Sequence, residues 1–181
     1  MYWAAQNYML ASQYDKAETC SRDAIACFKR QKGETEKKFY LMSILSLGDA
    51  LFCQQKYQEA LDTYQIELDG YSAWKPKSEK HADALEDMAK VEVRLKKFED
   101  AKKHYQAALD IYKTLNLDTK YSNTYSSLLV CLRKAGDSDT ADKMEQDAEN
   151  KRKAVYQRLL NDELPSLETT RKYLGSMTYT N

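Results

Sequence analysis

Glycine and proline are scarce: five Gly and two Pro stand in 181 residues, where average usage would supply roughly a dozen and nine. So few turn formers argue for few tight turns and against a strand-rich fold. No stretch nears the ~20 apolar residues of a membrane span. The N-terminus, Met1-Tyr2-Trp3-Ala4-Ala5-Gln6, has neither a basic leader nor an apolar run and does not read as a secretory signal. Net charge is absent as well, with 28 Lys+Arg against 28 Asp+Glu, so no global field would hold nucleic acid or an anionic membrane. The basic clusters Lys37-Lys38, Lys96-Lys97, Lys102-Lys103 and Lys151-Arg152-Lys153 are separate or flanked by acids, not one stripe.

Catalytic and cofactor signatures are missing too. The scattered Gly form no phosphate-binding loop, and no Gly-x-Ser-x-Gly elbow occurs. His81 and His104 lack an H-E-x-x-H partner and read as solvated helix histidines. Glu86-Asp87 and Glu99-Asp100 are adjacent pairs, hence on different helix faces, and read as solvated surface. No catalytic, metal or cofactor residue is expected, so the chain reads as non-enzymatic. Cys20, Cys27, Cys53 and Cys131 follow no C-x-x-C spacing. Buried thiols in a reducing cytosol are the reading favoured over a disulfide or a metal site, and a soluble cytoplasmic setting follows.

What is abundant is helix-forming: Ala, Leu, Lys, Glu and Gln. The 14 Tyr suit half-buried seams, where the ring is covered and the hydroxyl stays wet. One phrase recurs, an aromatic, two residues, Ala, and further apolar residues behind them. It stands at Tyr14-Asp15-Lys16-Ala17, Tyr57-Gln58-Glu59-Ala60 and Phe98-Glu99-Asp100-Ala101, with a degraded copy at Ser138-Asp139-Thr140-Ala141. Tyr64 and Leu68 follow in the second copy; Tyr105 and Ala108-Leu109 follow in the third. Successive copies lie 43, 41 and 40 residues apart, and a period of this size marks stacked units. Ahead of the later copies run apolar stripes at helical spacing: Ile44, Leu47, Gly48, Leu51 and Tyr125, Leu128, Leu129, Leu132 at i, i+3, i+4, i+7, and Leu85, Met88, Ala89, Leu95 at i, i+3, i+4, i+10. Each unit is therefore two helices. Gly48, Ala60, Ala89 and Ala101 leave room for helix axes to close to ~8–10 Å.

Leu47-Gly48, Leu51, Tyr57, Ala60 and Tyr64 make the chain resemble the tetratricopeptide repeat family over roughly residues 1–150. The period exceeds the usual ~34 and is similar to the long-helix variety of kinesin light chains. The usual closing Pro and the opening Trp are missing, and Ser21 and Glu145 replace aromatics in the terminal copies. The resemblance implies an all-α fold of tandem helix-turn-helix repeats, stacked as an α-solenoid with a right-handed superhelix. The expected repeat domain is 1–160, in units about 1–35, 38–76, 80–117 and 120–160. Helices are expected near 1–12, 14–31, 38–54, 57–72, 80–95, 98–115, 120–135 and 139–160. Because the first copy begins inside its first helix, the natural protein is expected to extend upstream.

Gly33–Glu36 and Tyr71–Ser78 read as linkers, with Pro76 disfavouring helix at Lys75. Trp74 reads as a seam cap or, less readily, an exposed binding anchor. Residues 161–181 read as a capping helix or a tail, with Ser166 as N-cap of a helix over Leu164 to Leu174.

In such a stack the first helices line a concave groove. The resemblance implies a wall of Met42, Leu45, Asp49 and Phe52; Asp83, Glu86, Lys90 and Val93; and Asn123, Ser126, Val130 and Arg133. Asp49, Asp83 and Asp87 stand where tail-binding relatives carry Asn and cations, which argues against a chaperone's acidic tail. The Asn-rich wall of kinesin light chains is absent also. An acidic middle with apolar flanks suits a basic peptide with a hydrophobic anchor, against the alternative of an ordinary solvated face. The expected function is a scaffold or adaptor binding a partner segment in the groove. The alternative is a structural segment of a larger superhelix, or a self-associating oligomer that uses its ends.

Overall fold

A computed structural model of the chain describes residues 2–30 and 33–163. They form eight α-helices with no strand among the described residues: α1 (Tyr2–Leu10), α2 (Tyr14–Phe28), α3 (Glu34–Cys53), α4 (Tyr57–Trp74), α5 (Glu79–Arg94), α6 (Phe98–Thr114), α7 (Asp118–Ala135) and α8 (Ser138–Glu163). The expected tail helix over Leu164 to Leu174 lies outside the described residues. No helix among the described residues is long and apolar enough to cross a membrane.

The chain divides into two compact units, Met1–Gly136 and Asp137–Asn181. In the first, each helix from α1 to α7 packs on the next, and α1 also touches α3. Such nearest-neighbour packing makes an all-α repeat solenoid, in which every apolar stripe is covered by adjacent helices. The core runs through Leu41, Leu47, Leu51, Tyr64, Leu68, Tyr71, Leu85, Met88, Val91, Ile111 and Tyr112. Buried Ala5, Ala17, Ala60, Ala82, Ala89 and Ala101 stand where the axes come close. Gly48 is the extreme case, since a Cβ there would overlap the Tyr64 ring. In the second unit α8 carries short-range pairs such as Lys153–Glu149 at 3.4 Å and Gln146–Asn150 at 3.1 Å.

The turns correct one expectation. Tight turns are present, but residues other than glycine make most of them. Ser12, Gln55, Lys77, Lys96 and Asn116 all have positive φ between 55° and 62°, and only Gly136 (φ +85°) is the residue that conformation favours. Between α3 and α4, Lys56 N donates to Leu51 O at 2.9 Å and Gln55 N to Phe52 O at 3.0 Å. The same pair closes α5, from Lys97 N to Glu92 O and Lys96 N to Val93 O. These Schellman bonds satisfy carbonyls at the helix ends and outweigh the local preference of Gln or Lys. The left-handed positions Ser12, Gln55, Lys96 and Gly136 recur with the same 43, 41 and 40 spacings as the aromatic–Ala phrase.

Linkers are shorter than expected. Helix α3 begins at Glu34, with Gly33 extended (φ −76°, ψ 160°) as its N-cap and Glu34 and Glu36 in the first turn, where the helix dipole favours acids. Helix α4 runs through Trp74, leaving Lys75–Ser78 outside helix. Lys75, held before Pro76, has φ −140° and ψ 68°. Ser78 caps α5 by accepting from His81 N at 3.2 Å. Trp74 takes the seam role: it stacks on Tyr71, donates from Nε1 to Glu34 Oε2 at 2.9 Å and lies under the ammonium groups of Lys37 and Lys75. Of the cysteines, Cys131 alone is buried, Cys20 is half-buried, and Cys27 and Cys53 are exposed. The buried-thiol expectation fails at the latter two because their side chains lie off the seams that the Ala and Leu positions occupy.

Candidate groove along α3, α5 and α7

One helix from each successive pair contributes to a shared surface because the 3.6-residue period sends one face of α3, α5 and α7 away from the seams. Two adjoining clefts occupy it. The first, about 290 Å³, is lined by Leu45, Asp83, Glu86, Asp87, Lys90, Tyr112, Lys120 and Asn123. The second, about 450 Å³, is lined by Phe52, Lys90, Val93, Arg94, Tyr105, Ser126, Ser127, Val130 and Lys134. Lys90 borders both.

Nine of the twelve wall residues expected from the sequence thus lie on these two clefts: Leu45, Phe52, Asp83, Glu86, Lys90, Val93, Asn123, Ser126 and Val130. Met42 and Asp49 are half-buried on α3 but line neither cleft, and exposed Arg133 on α7 lies off both. Beyond the wall expected from the sequence, Tyr105 and Tyr112 reach the clefts from α6, and Arg94, Lys120 and Lys134 line them as well.

The acids do not stand free. Tyr112 Oη donates to Asp83 Oδ1 at 2.8 Å and reaches Glu86 Oε2 at 3.3 Å. Thr124 Oγ1, fully buried, donates to Glu86 Oε2 at 2.7 Å. Lys120 Nζ meets Asp83 at 2.6 Å and Glu79 at 2.7 Å, while Lys90 Nζ meets Glu86 at 2.8 Å and Asp87 at 3.0 Å. On the neighbouring helix pair, Tyr64 Oη donates to Asp49 Oδ1 at 2.6 Å. The expectation that Glu86-Asp87 is solvated surface is corrected here, because both side chains are less than one-fifth exposed, Glu86 tying α5 to α6 and α7 and Asp87 pairing with Lys90 on α5 itself.

Burial sets the protonation of this cluster. It pushes the Asp87 carboxyl up to about 6, with Asp49 and Glu86 adding to the rise and Lys90 opposing it. Burial likewise raises Asp49, against the Tyr64 hydrogen bond. At Asp83 burial is outweighed by hydrogen bonds from Lys120, Lys80 and Tyr112, which hold the carboxyl below its ordinary value. At Lys90 burial works against the charge, but Asp87 and Glu86 hold the pKa above the usual lysine value. On α4 lies Glu67, 1% exposed, with no hydrogen-bond partner for Oε2 among the described residues. Burial and then Asp87 and Asp49 push its carboxyl up to about 9, so it is neutral near pH 7.

Away from the groove, His104 is not the solvated histidine expected. Its Nδ1 lies 2.8 Å from Oε2 of Glu92, which is 4% exposed on α5. His81 joins the α4–α5 connection, with Nδ1 accepting from Lys77 N at 3.0 Å and Nε2 3.0 Å from Ser72 Oγ.

Comparison with known proteins follows the same lines. The tetratricopeptide repeat profile matches residues 80–154, the stretch that begins at the start of α5. Among solved structures, the apo form of RapI superposes with a TM-score of 0.71 at 15% identity, over 97% of this chain and 67% of that one. BtubC (BKLC) from P. vanneervenii superposes with a TM-score of 0.55 at 18% identity, over 84% of this chain and 78% of that one. No curated protein sequence matches the chain.

Proposed function

We propose that the chain, whose residues 80–154 match the tetratricopeptide repeat profile, is a non-catalytic scaffold or adaptor that holds a segment of another protein along α3, α5 and α7. The observation that carries this reading is the pair of adjoining clefts, in which apolar Leu45, Phe52, Val93 and Val130 alternate with charged and hydroxyl groups. Val130, 49% exposed, lines the same cleft as Phe52 and Val93, so the apolar surface there is open to a ligand side chain. In this reading the repeat domain spans residues 1–160, and the wall is formed by the groove residues named above with Met42, Asp49 and Arg133 at its margins. The ligand is a peptide segment with a hydrophobic anchor, and a Lys or Arg near its centre is drawn to Asp49, Asp83, Glu86 and Asp87. Those four carboxylates face three lysines, Lys80, Lys90 and Lys120, so a surplus acid remains. Four free cysteines support a reducing, cytoplasmic setting.

Charge reversal at Asp83 or Glu86 would break the bonds to Tyr112 and Thr124, so the test is made at exposed apolar positions. Affinity capture from lysate should retain a partner on the wild type and lose most of it on Val130→Glu and Val93→Glu, with helicity by circular dichroism unchanged. Equal capture by all three would sink the groove reading. A second reading, self-association through the ends, is favoured by Trp3 and Leu10 on α1, which are 69% and 85% exposed. Light scattering across concentrations, with Trp3→Ser and Leu10→Ser as controls, separates the two.

A further inference from the structure

The two clefts differ in sign. Around Leu45 and Asn123 the lining carboxylates Asp83, Glu86 and Asp87 are answered by Lys90 and Lys120. Around Phe52, Val93, Val130 and Tyr105 no carboxylate lines the cleft, and the charges on its rim are Lys90, Arg94 and Lys134. Lys90 is spent on Glu86 and Asp87. Arg94 lies with its guanidinium 5.8 Å from the Phe52 ring centroid, and among the described residues neither it nor Lys134 forms an ion pair. Ser126 and Ser127 add hydroxyls to the same rim, although each already donates to a carbonyl of α7. An apolar floor under two unanswered cations is complementary to an apolar side chain beside a carboxylate.

We propose that the Phe52–Val93–Val130 cleft takes an aliphatic or aromatic residue flanked by Asp or Glu, so that the groove selects peptides with segregated charge. This rests on the reading that the groove binds a peptide segment, and it adds polarity to that segment. The carboxylate lies toward Arg94 and Lys134, and any Lys or Arg lies toward Asp83 and Asp87. Glu86 and Arg94 are eight residues apart on α5, about 12 Å at 1.5 Å per residue. An extended ligand covers that distance in about four residues at ~3.3 Å each. The ligand's opposite charges therefore fall about four residues apart, with the apolar residue next to the carboxylate. Either chain direction meets the requirement.

The test uses end-blocked, fluorescein-labelled peptides, so that side chains supply every charge. One carries Arg, then Phe and Glu three and four residues later; a second is the same in reverse order. A third and fourth replace Glu by Lys in each. By fluorescence anisotropy, one of the Glu peptides should bind wild type about tenfold more tightly than its Lys counterpart. The Arg94→Glu/Lys134→Glu variant, which alters exposed unpaired side chains, should invert that preference. Equal affinities of Glu and Lys peptides for wild type, still abolished by Val130→Glu, would overturn the polarity and leave the groove reading standing. No binding by any of the four peptides would overturn the proposal. Capture of a lysate partner by the wild type and not by Val130→Glu would then show that the groove reading had not failed with it.

Discussion

The α3–α4 and α5–α6 helix pairs repeat one pattern 41 residues apart, and their differences separate what packing demands from what the surface is free to vary. On the seams Ile44 is matched by Leu85, Leu47 by Met88, Ala60 by Ala101, Tyr64 by Tyr105, Leu68 by Leu109 and Tyr71 by Tyr112, all buried. On the groove face Met42 is replaced by Asp83, Leu45 by Glu86 and Asp49 by Lys90. At these six seam positions core volume is conserved within a methylene or so, as close packing requires, whereas on the groove face two apolar residues give way to carboxylates and an acid to a lysine. At another seam position an acid replaces an apolar side chain: Leu51, 1% exposed, corresponds to Glu92, 4% exposed. Its partner changes with it. Thr63 on α4, which bonds its own backbone at Glu59 O, corresponds to His104 on α6, which meets Glu92. At this position the buried acid of α5 is faced by an imidazole.

The largest effect should come from transplanting that exception. Leu51→Glu places a buried carboxylate in α3 without its imidazole, and should cost about 3–5 kcal/mol in urea unfolding. Adding Thr63→His should recover part of the loss. If the single variant unfolds like wild type, the seam is less constrained than this comparison holds.

A smaller effect concerns Glu67, whose counterpart in α6 is fully buried Ala108. Its folded carboxyl is raised to about 9 from an ordinary 4.5, so the folded state binds the proton more tightly than the unfolded one. Stability on account of Glu67 is therefore undiminished below about pH 4.5 and falls as pH rises toward 9. Glu67→Gln should raise stability by about 2–3 kcal/mol at pH 7 and change little at pH 4.5. Thermal melts at the two pH values check this, and an equal shift at both would point to packing instead of charge.

Smallest is the Gly48/Ala89 pair. Gly48→Ala gains roughly 1 kcal/mol of helix propensity but drives a Cβ into the Tyr64 ring, an overpacking worth about 1–3 kcal/mol. A net loss of about 1 kcal/mol is expected from these opposing terms. Ala89→Gly should also lose about 1 kcal/mol, since α5 and Tyr105 already accommodate the methyl group. Chemical denaturation of both would reveal whether the two seams differ in spacing; a stabilised Gly48→Ala would remove that difference.

Helix positions were legible to within a few residues, because apolar periodicity and the aromatic–Ala phrase are local signals. The turns were not, since Ser12, Gln55, Lys96 and Asn116 adopt positive φ without glycine to announce it. Nine of the twelve residues expected for the wall from helical register line one or both of the two clefts. The chemistry of the wall was not legible, because Tyr112 and Thr124 meet the acids of α5 from 26 and 38 residues away. Glu92–His104 left one trace that aligning the internal copies would reveal, the joint change from Leu51 and Thr63. Glu67 left none.

By itself, the sequence determined that this protein is a stack of helix pairs with a period near 41, because small and large apolar residues at 3.6-residue spacing can be buried only against like neighbours. Tertiary structure alone decided which charges along the two clefts are already answered by a partner side chain. That depends on side chains far apart in the chain, such as Lys120 reaching Asp83 while Arg94 and Lys134, which line the cleft with Phe52 and Val130, form no ion pair among the described residues. Ion pairing is set by distance in space and by burial, and neither is a property of any single helix.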